Sequence, residues 1–291
     1  MNAGAPSKTA QSVAVRRAEH QLFDQPCVLE DPIAPRIIGA AAAASMRMRS
    51  CRAHLPSSRH LRAFLAVRSR YAEDQLARAI ASGTAQYVIL GAGLDTFAHR
   101  NPYQGRLEVF EVDHPDTQRC KRRRLALAGL PLDGLARFVP VDFEHQRLDV
   151  ELGRAGFEAN EPAFFSWLGV TPYLDREVVV ATFELIHGLH PGNAVAFDYA
   201  LRPRECCAAE ITAARAMSKR VARAGEPFKS AFEPEALARE LARIGFLRVE
   251  SPTAEQINAL YFAGRLDGLR ISGRLGALMC AWPWALMCVR P

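Results

Sequence analysis

The sequence lacks the features of several broad classes of protein. No run reaches the roughly 18 to 20 consecutive apolar residues that a membrane-spanning helix needs, and Met1 to Gln11 is polar, without the apolar stretch of a signal peptide. The seven cysteines are odd in number and form no C-x-x-C pair, which argues against a disulfide framework and a zinc site. We therefore expect a soluble, cytoplasmic protein with reduced, mostly buried thiols, no metal and no membrane partner.

The charge balance is mildly basic, with a net charge of +6. Its densest basic run is Lys121 to Arg124, which could meet nucleic acid or another anionic partner. No aromatic or glycine-rich pattern typical of RNA-binding domains accompanies the run. We interpret it as the solvated face of a helix and predict no nucleic-acid partner.

A chain of 291 residues, 49% of them hydrophobic, can bury a large core. Its first part is helical in pattern: Ile37 to Met48 is rich in alanine, and Ser58 to Ile80 has amphipathic spacing that fits one helix or two. We predict an N-terminal helical cap over residues 1–81 that contributes to a cofactor site. Residues 82–291 then form the core of the protein.

Strands and helices alternate from residue 82 onward. This alternation predicts a doubly wound, Rossmann-like α/β sheet. Residues 202–232, which are basic, interrupt the alternation and predict a helical lid over the C-terminal edge of the sheet. The predicted strands are Tyr87–Leu90, Leu107–Val112, Phe138–Val141, Ala163–Val170, Asn193–Ala200, Phe246–Val249 and Gly276–Trp282. The predicted helices of the core are His114–Ala128, Asp175–Gly188 and Glu233–Gly245.

The most informative stretch is Tyr87 to Thr96, where a buried strand runs into Gly91-Ala92-Gly93. Glycine allows backbone to approach a ligand closely. About 20 residues later the next strand ends on Asp113, an acid that can accept hydrogen bonds from both hydroxyls of a ribose. The third glycine of a dinucleotide site, which packs a helix beneath a pyrophosphate, is absent. The pattern therefore favours S-adenosylmethionine, with a nicotinamide cofactor and an oxidoreductase as the alternative.

Together these motifs resemble the leucine carboxyl methyltransferase-like family of class I S-adenosylmethionine-dependent methyltransferases. The resemblance extends from about Val13 to Leu201. It rests on the glycine stretch and on four further features: Phe-Glu-Val-Asp-His-Pro ending at Pro115, Lys121 after it, Arg68-Ser-Arg-Tyr upstream, and Pro172-Tyr-Leu. It implies a methyltransferase fold and S-adenosylmethionine as the cofactor.

The resemblance also implies roles for single residues. Gly91, Ala92 and Gly93 would pass beneath the methionine part of the cofactor, and Asp113 would bind its ribose. Asp142 would reach the adenine amino group, and the backbone amide of Phe143 would reach the adenine ring.

Arginines upstream of the glycine stretch would hold the cofactor's carboxylate. The family arginine matches Arg68 or Arg70, of which we favour Arg68, and Arg17 is a looser match to a further basic contact. The structural alternatives are a plain glycine turn, helix caps at the two aspartates and surface charges at the arginines. One departure is clear: Leu168 stands where many members have a glutamate, so protein-phosphatase carboxyl methylation does not follow from the resemblance.

These features predict an O-methyltransferase acting on a small-molecule acceptor, either a carboxylic acid or a hydroxylated metabolite. A carboxylate acceptor needs no general base, since its pKa is about 4, whereas a hydroxyl gains from one. Tyr173 is the catalytic candidate and His99 or His114 a candidate base, with core and loop roles as the alternatives. Lid arginines such as Arg215 and Arg220 would attract an anionic acceptor. A cofactor-binding protein without transfer activity stays open, and the sequence does not indicate the oligomeric state.

Overall fold

The computed structural model describes residues 7–48, 55–142, 145–202, 227–272 and 276–283. Several residues singled out by the sequence lie outside these ranges, namely Phe143, Arg215, Arg220 and the greater part of the predicted lid. The lid and its arginines therefore stay predictions.

A seven-stranded mixed sheet forms the centre of the protein. Its order is β3-β2-β1-β4-β5-β7-β6, and β1 to β5 pair in parallel. Strand β7 runs antiparallel to both β5 and β6. This arrangement confirms the predicted α/β sheet, with antiparallel pairing at one edge that the sequence pattern does not specify. The strands are β1 Gln86–Leu90, β2 Glu108–Asp113, β3 Arg137–Pro140, β4 Ala163–Trp167, β5 Ala194–Tyr199, β6 Arg248–Glu250 and β7 Ala277–Trp282.

The central strands are buried along their whole length. Every residue of β1, β4 and β5 is buried, as expected for parallel strands covered by helices on both faces. The prediction that the fourth strand continues to Val170 was wrong. It ends at Trp167 because Gly169 turns into the left-handed region, at φ 72°, and a 3-10 turn follows at Thr171–Tyr173.

Helices cover both faces of the sheet. The prediction for Ser58 to Ile80 left one helix or two, and the structure has one unbroken helix. It begins at a proline in the first turn, where the missing N–H costs nothing, and carries no glycine before its end. The helices in the described ranges are α1 Lys8–Phe23, α2 Ala34–Ile37, α3 Ala40–Met48, α4 Pro56–Ala81, α5 Pro115–Leu127, α6 Leu148–Arg154, α7 Arg176–Leu189, α8 Pro234–Ile244 and α9 Ala254–Tyr261.

The core lies in two layers on either side of the sheet. One layer packs α4 against residues such as Ile89 and Ala196. The other packs α7 and α8 against residues such as Val88 and Phe165. A third, smaller cluster joins α1 and α2 to α5 and to Leu94 in the loop after β1. The N-terminal helices are thus attached to the part of the sheet where the glycine stretch lies.

Two expectations about side chains need correction. Lys121 does not belong to a solvated face: it is 1% exposed and its ammonium pairs with the equally buried carboxylate of Glu111. Of the cysteines in the described ranges, Cys280 is buried, whereas Cys27 and Cys120 are only half-buried. The described helices include none long and apolar enough to cross a membrane.

Candidate functional site

The glycine stretch forms a tight loop at the C-terminal end of β1. Gly91 and Gly93 both have positive φ, 67° and 51°, a region that L side chains adopt at a cost. The backbone N–H groups of Gly91 and Ala92 donate to the carbonyl of Val112, over 2.9 and 3.0 Å. A Cβ on Gly91 would lie 2.3 Å from Cγ2 of Val170. Glycine at 91 is therefore needed for both backbone conformation and space.

Asp113 lies beside this loop at the end of β2. Its carboxylate accepts the backbone N–H of Gly93 at 2.5 Å and that of His114 at 2.7 Å. Burial raises the pKa of the Asp113 carboxyl above its usual value, although these two hydrogen bonds act to lower it. The cap of α5 is His114, whose Nδ1 accepts the N–H of Asp116 at 3.2 Å. Asp113 is thus not the helix cap, and it meets the glycine loop directly.

Arg68 and Arg70, both on α4, have different surroundings. Arg70 is exposed and pairs with Asp74 on the same helix at 2.9 Å. Arg68 is 7% exposed and donates from Nη1 to Oδ2 of Asp198 at 3.0 Å. Its guanidinium lies against Gly169, where a Cβ would come within 2.9 Å of both terminal nitrogens. Arg68 is therefore the arginine at the edge of the sheet, and its role toward the cofactor stays a prediction.

Asp198 was not predicted from the sequence. It lies near the end of β5, is 4% exposed, and its second carboxylate oxygen accepts the N–H of Gly169. The hydroxyl of Thr171 donates to its backbone carbonyl at 2.6 Å. The sequence did contain a signal for this residue. Aspartate is unusual in a strand that is buried on both faces of a sheet, and the other residues of Ala194–Tyr199 are uncharged.

An ion network beneath the glycine loop was also missed, although Arg17 was noted. Arg17 is 5% exposed and bonds Asp31 at 3.0 Å, Asp95 at 2.6 Å and Thr96 at 3.1 Å. Burial opposes ionisation of Asp95, but Arg17 and Arg100 outweigh it and hold the pKa of that carboxyl well below its usual range. These bonds use all three guanidinium nitrogens of Arg17 and fasten α1 to the loop.

Asp142 follows β3, at the same edge of the sheet. Its Oδ2 lies 2.9 Å from Nδ1 of His145, and its backbone N–H donates to Gln146 at 2.9 Å. Asp142 is half-buried. The aspartate therefore lies where a ligand over the strand ends could meet it, while its predicted partner Phe143 lies outside the described residues.

Tyr173 closes the 3-10 turn after β4 and is half-buried. Its ring centroid lies 5.3 Å from that of Phe228. The chain after Phe228 is joined to the same turn, because the N–H of Lys229 donates to the carbonyl of Pro172 at 2.7 Å. The ammonium of Lys229 pairs with Asp175 at 2.8 Å. An aromatic pair with charged neighbours thus borders the strand ends.

The remaining candidates have structural partners. Trp167, the last residue of β4, is 3% exposed and packs edge-on against Phe183, so it belongs to the core. His99 contacts the carbonyl of Pro131 at 2.9 Å, and burial lowers its pKa. His99 and His114 are therefore both hydrogen-bonded within loops or caps, as the simpler interpretation expects.

Strand register places residues from β1, β4 and β5 side by side at the carboxyl edge of the sheet. Leu90, Trp167 and Phe197 are paired across β1, β4 and β5. The residues that follow them, Gly91, Leu168 and Asp198, therefore succeed one another across the edge of the sheet. Ligands of open α/β sheets bind at this carboxyl edge of the strands. A glycine loop, an acid and a buried arginine at one edge can hold a nucleoside with a charged tail.

Residues 10–187, more than half of the chain, match the family model described as leucine carboxyl methyltransferase. The chain belongs to this family. It is 39% identical over 204 residues to YktD of Bacillus subtilis, a proposed S-adenosyl-L-methionine-dependent methyltransferase, covering 69% of this chain and 67% of YktD. It is 32% identical over 192 residues to a proposed methyltransferase of the same kind from Saccharopolyspora erythraea, covering 65% of this chain and 66% of that protein. The match thus spans about two thirds of these relatives.

Solved structures agree on the fold. A proposed methyltransferase of Thermobifida fusca superposes with a TM-score of 0.58 at 19% identity, covering 98% of this chain and 97% of that one. A DUF574 family protein of Streptomyces avermitilis gives 0.53 at 16% identity, covering 93% and 96%. The leucine carboxyl methyltransferase family uses S-adenosylmethionine, and this family member is assigned that cofactor. The nicotinamide alternative finds no support in these relatives.

Proposed function

We propose that this member of the leucine carboxyl methyltransferase family is an S-adenosylmethionine-dependent O-methyltransferase for a small acceptor, either a carboxylic acid or a hydroxylated metabolite. The observation that carries the proposal is the 2.5 Å hydrogen bond between the Gly93 amide and Asp113. It joins the glycine loop to an acid whose other lone pairs are available for ribose hydroxyls.

The glycine loop and Arg68 would hold the methionine part of the cofactor. Gly91, Ala92 and Gly93 would pass beneath its methionine part, where the absent Cβ of glycine leaves room. Arg68 would bind its carboxylate, which is consistent with a buried guanidinium whose Nε has no hydrogen-bond partner among the described residues. A buried donor without a partner is costly unless a ligand satisfies it.

Two further contacts complete the proposed cofactor site. Asp142 would reach the adenine amino group, and the backbone amide of Phe143 the ring. We also propose that residues 1–81 form a cap that contributes to the site. Arg68 lies in this part of the chain, and a Cβ on Gly93 would come 3.2 Å from that of Ala10.

When bound, the cofactor supplies a methyl group activated by the positive charge of its sulfonium. The protein's part is to hold the acceptor oxygen in line with that methyl and to exclude water, since alignment alone can supply much of the acceleration. A carboxylate acceptor requires no proton removal at neutral pH. This suits a site in which His99 and His114 are already engaged by backbone groups.

The acceptor would lie beside Tyr173. This residue follows β4, next to the strands that carry the glycine loop and Asp198. Its ring and that of Phe228, inclined by 46° to each other, would form an apolar wall beside the acceptor. The tyrosine hydroxyl would orient the acceptor oxygen.

The experiment is methyl transfer from cofactor labelled in its methyl group to a panel of small carboxylic acids and hydroxylated compounds. An ester product releases labelled methanol in mild alkali, whereas an ether retains its label. Label on carbon or nitrogen would contradict the proposal. Tight binding of S-adenosylhomocysteine without transfer to any acceptor would instead favour a cofactor-binding protein that has lost transfer.

A further inference from the structure

Arg68 and Asp198 form a buried ion pair at the edge of the sheet, between residues 130 positions apart in sequence. The exposed fractions of their side chains are 9% and 6%. Burying two opposite charges costs several kcal/mol in desolvation, and a single hydrogen bond does not offset this well. The cost is offset better when the remaining donors and lone pairs also find partners.

The pair is only partly satisfied among the described residues. Asp198 accepts one hydrogen bond on each oxygen, from Arg68 and from the Gly169 amide. Each carboxylate oxygen can accept a second. Arg68 uses Nη1 on Asp198, while its buried Nε has no partner. The edge formed by Nε and Nη2 is one of the two edges of a guanidinium that can bind a carboxylate through two parallel hydrogen bonds.

The Arg68–Asp198 pair also lies near the glycine loop along the edge of the sheet. Gly91, Leu168 and Asp198 follow paired residues on three adjacent strands, and adjacent strands are about 4.8 Å apart. Asp198 is therefore about 10 Å across the edge from the glycine loop. That distance is within reach of the amino-acid end of a nucleoside cofactor whose sulfur lies above the loop.

Asp198 supplies a carboxylate close to Leu168, the position at which many members of the family have a glutamate. Leu168 is partly buried against the core layer on the α4 side of the sheet, and Ala196, two residues before Asp198, belongs to the same layer. Side chains two apart on a strand share a face, so Leu168, Asp198 and Arg68 all lie on this side. In the row from Gly91 to Asp198, the acid is contributed by β5 and not by the residue after β4.

We propose that Asp198 and Arg68 together bind the amino-acid end of S-adenosylmethionine, with Asp198 accepting from its ammonium and Arg68 donating to its carboxylate. This inference rests on the proposed function and deepens it, because it assigns the ammonium to a residue of β5. A zwitterion bound across an ion pair gives each buried charge a second partner of opposite sign.

The test measures binding of four ligands by calorimetry to the unsubstituted protein, Asp198→Asn and Arg68→Gln. S-adenosylhomocysteine carries both the ammonium and the carboxylate of the amino-acid end. Its decarboxylated analogue keeps only the ammonium, and its deaminated analogue keeps only the carboxylate. The fourth ligand, 5′-methylthioadenosine, has neither group. Asp74→Asn and Arg70→Gln, which alter an exposed ion pair of the same helix, are the matched controls. Ratios between ligands are taken within one protein sample, so that a change in folded fraction cancels.

Asp198→Asn is expected to weaken S-adenosylhomocysteine and the decarboxylated analogue by about 10- to 100-fold, as for loss of a charge-assisted hydrogen bond. The same variant should change binding of the deaminated analogue and of 5′-methylthioadenosine less than about 3-fold. Arg68→Gln should give the mirror pattern, weakening S-adenosylhomocysteine and the deaminated analogue. Both controls should keep the ratios of the unsubstituted protein.

A different pattern would overturn the inference. If Asp198→Asn weakens the deaminated analogue more than the decarboxylated one, Asp198 only positions Arg68 and does not receive the ammonium. Equal losses for all four ligands would mean that the substitution acts through folding alone. Failure of the unsubstituted protein to bind S-adenosylhomocysteine would instead overturn the proposed function itself, and the inference with it.

Discussion

A Cβ placed on Gly91 would lie 2.3 Å from a methyl carbon of Val170, although the two residues belong to loops after different strands. The loop after β4 thus packs directly on the glycine loop after β1. The two loops therefore support each other, and the proposed cofactor site and the proposed acceptor site beside Tyr173 both depend on this contact.

Gly91→Ala tests this contact. The substitution places a Cβ at positive φ, which costs about 1–2 kcal/mol, and forces Val170 aside, which costs about 1–3 kcal/mol more. We expect a lower midpoint of denaturant unfolding together with weaker binding of S-adenosylhomocysteine. Gly129→Ala is the matched control, because Gly129 has a similar φ of 62° and no atom within 4 Å. It should show the backbone cost only, and equal losses in the two variants would contradict the role of Val170.

Asp113→Ala removes the carboxylate proposed to bind the ribose. Loss of charge-assisted hydrogen bonds predicts about 10- to 100-fold weaker binding of S-adenosylhomocysteine by calorimetry. Asp149→Ala is the control, since Asp149 lies on α6 and pairs only locally with Arg147 at 2.6 Å. Unchanged affinity in Asp113→Ala would exclude the proposed contact.

Arg17→Ala tests the ion network beneath the glycine loop. It leaves Asp31, which is fully buried, and Asp95 without a main partner. Breaking a buried pair in this way predicts a loss of about 3–5 kcal/mol in the free energy of unfolding, together with faster amide exchange over the glycine loop. Arg16→Ala, one position earlier, removes a more exposed arginine that bonds Glu19 and Ser58, and it should cost less because it leaves no fully buried carboxylate unpaired. Equal losses of unfolding free energy in Arg17→Ala and Arg16→Ala would show that the ion network contributes no more to stability than the pair of Arg16 with Glu19.

Asp24 predicts a pH dependence of stability. Burial opposes its ionisation, but hydrogen bonds from Arg62 and His20 lower its pKa from 3.8 to about 2. A carboxyl with a lowered pKa stabilises the folded state above its unfolded value. Its contribution of about 2 kcal/mol is present above pH 3.8 and is lost as the pH falls toward 2.

The measurement is denaturant unfolding at pH 7, pH 4 and pH 2.5 for the unsubstituted protein and Asp24→Asn. The variant should be less stable at pH 7, because Arg62 loses its buried partner, and the difference should shrink with acidification. Asp133→Asn, at an exposed position, should show no such trend. A difference between Asp24→Asn and the unsubstituted protein that is constant with pH would rule out this carboxyl as the titrating group.

Local pattern was sufficient for the sheet and for the glycine loop. The strands of the parallel part are short apolar runs bounded by turn residues, and their bounds were predicted within one residue for β1, β2 and β3. The short helices α6 and α9 were missed because seven and eight residues give too little periodicity to stand out. The end of β4 was misplaced because the apolar run continues through Leu168 and Val170, beyond the turn at Gly169.

The candidate site was predictable only where its residues are neighbours in sequence. Asp113 follows from its spacing after the glycine loop, and its bond to Gly93 agrees with that reasoning. The buried Lys121–Glu111 pair was hidden inside a basic run, because three neighbouring arginines suggest a solvated face. A charged residue in a run is assigned to solvent or core by the direction of its side chain, which depends on how the helix packs.

The sequence by itself determined the short apolar strands of the parallel part of the sheet, the turn at Gly91 and Gly93, and the acid that ends β2, since period, glycine conformation and spacing are local properties. Only the tertiary structure decided that β7 runs antiparallel, that Arg17 lies beneath the glycine loop and that Arg68 meets Asp198. These contacts join segments separated by many tens of residues. They depend on strand register and on which helix covers which face of the sheet, and both are settled by burial of the whole core.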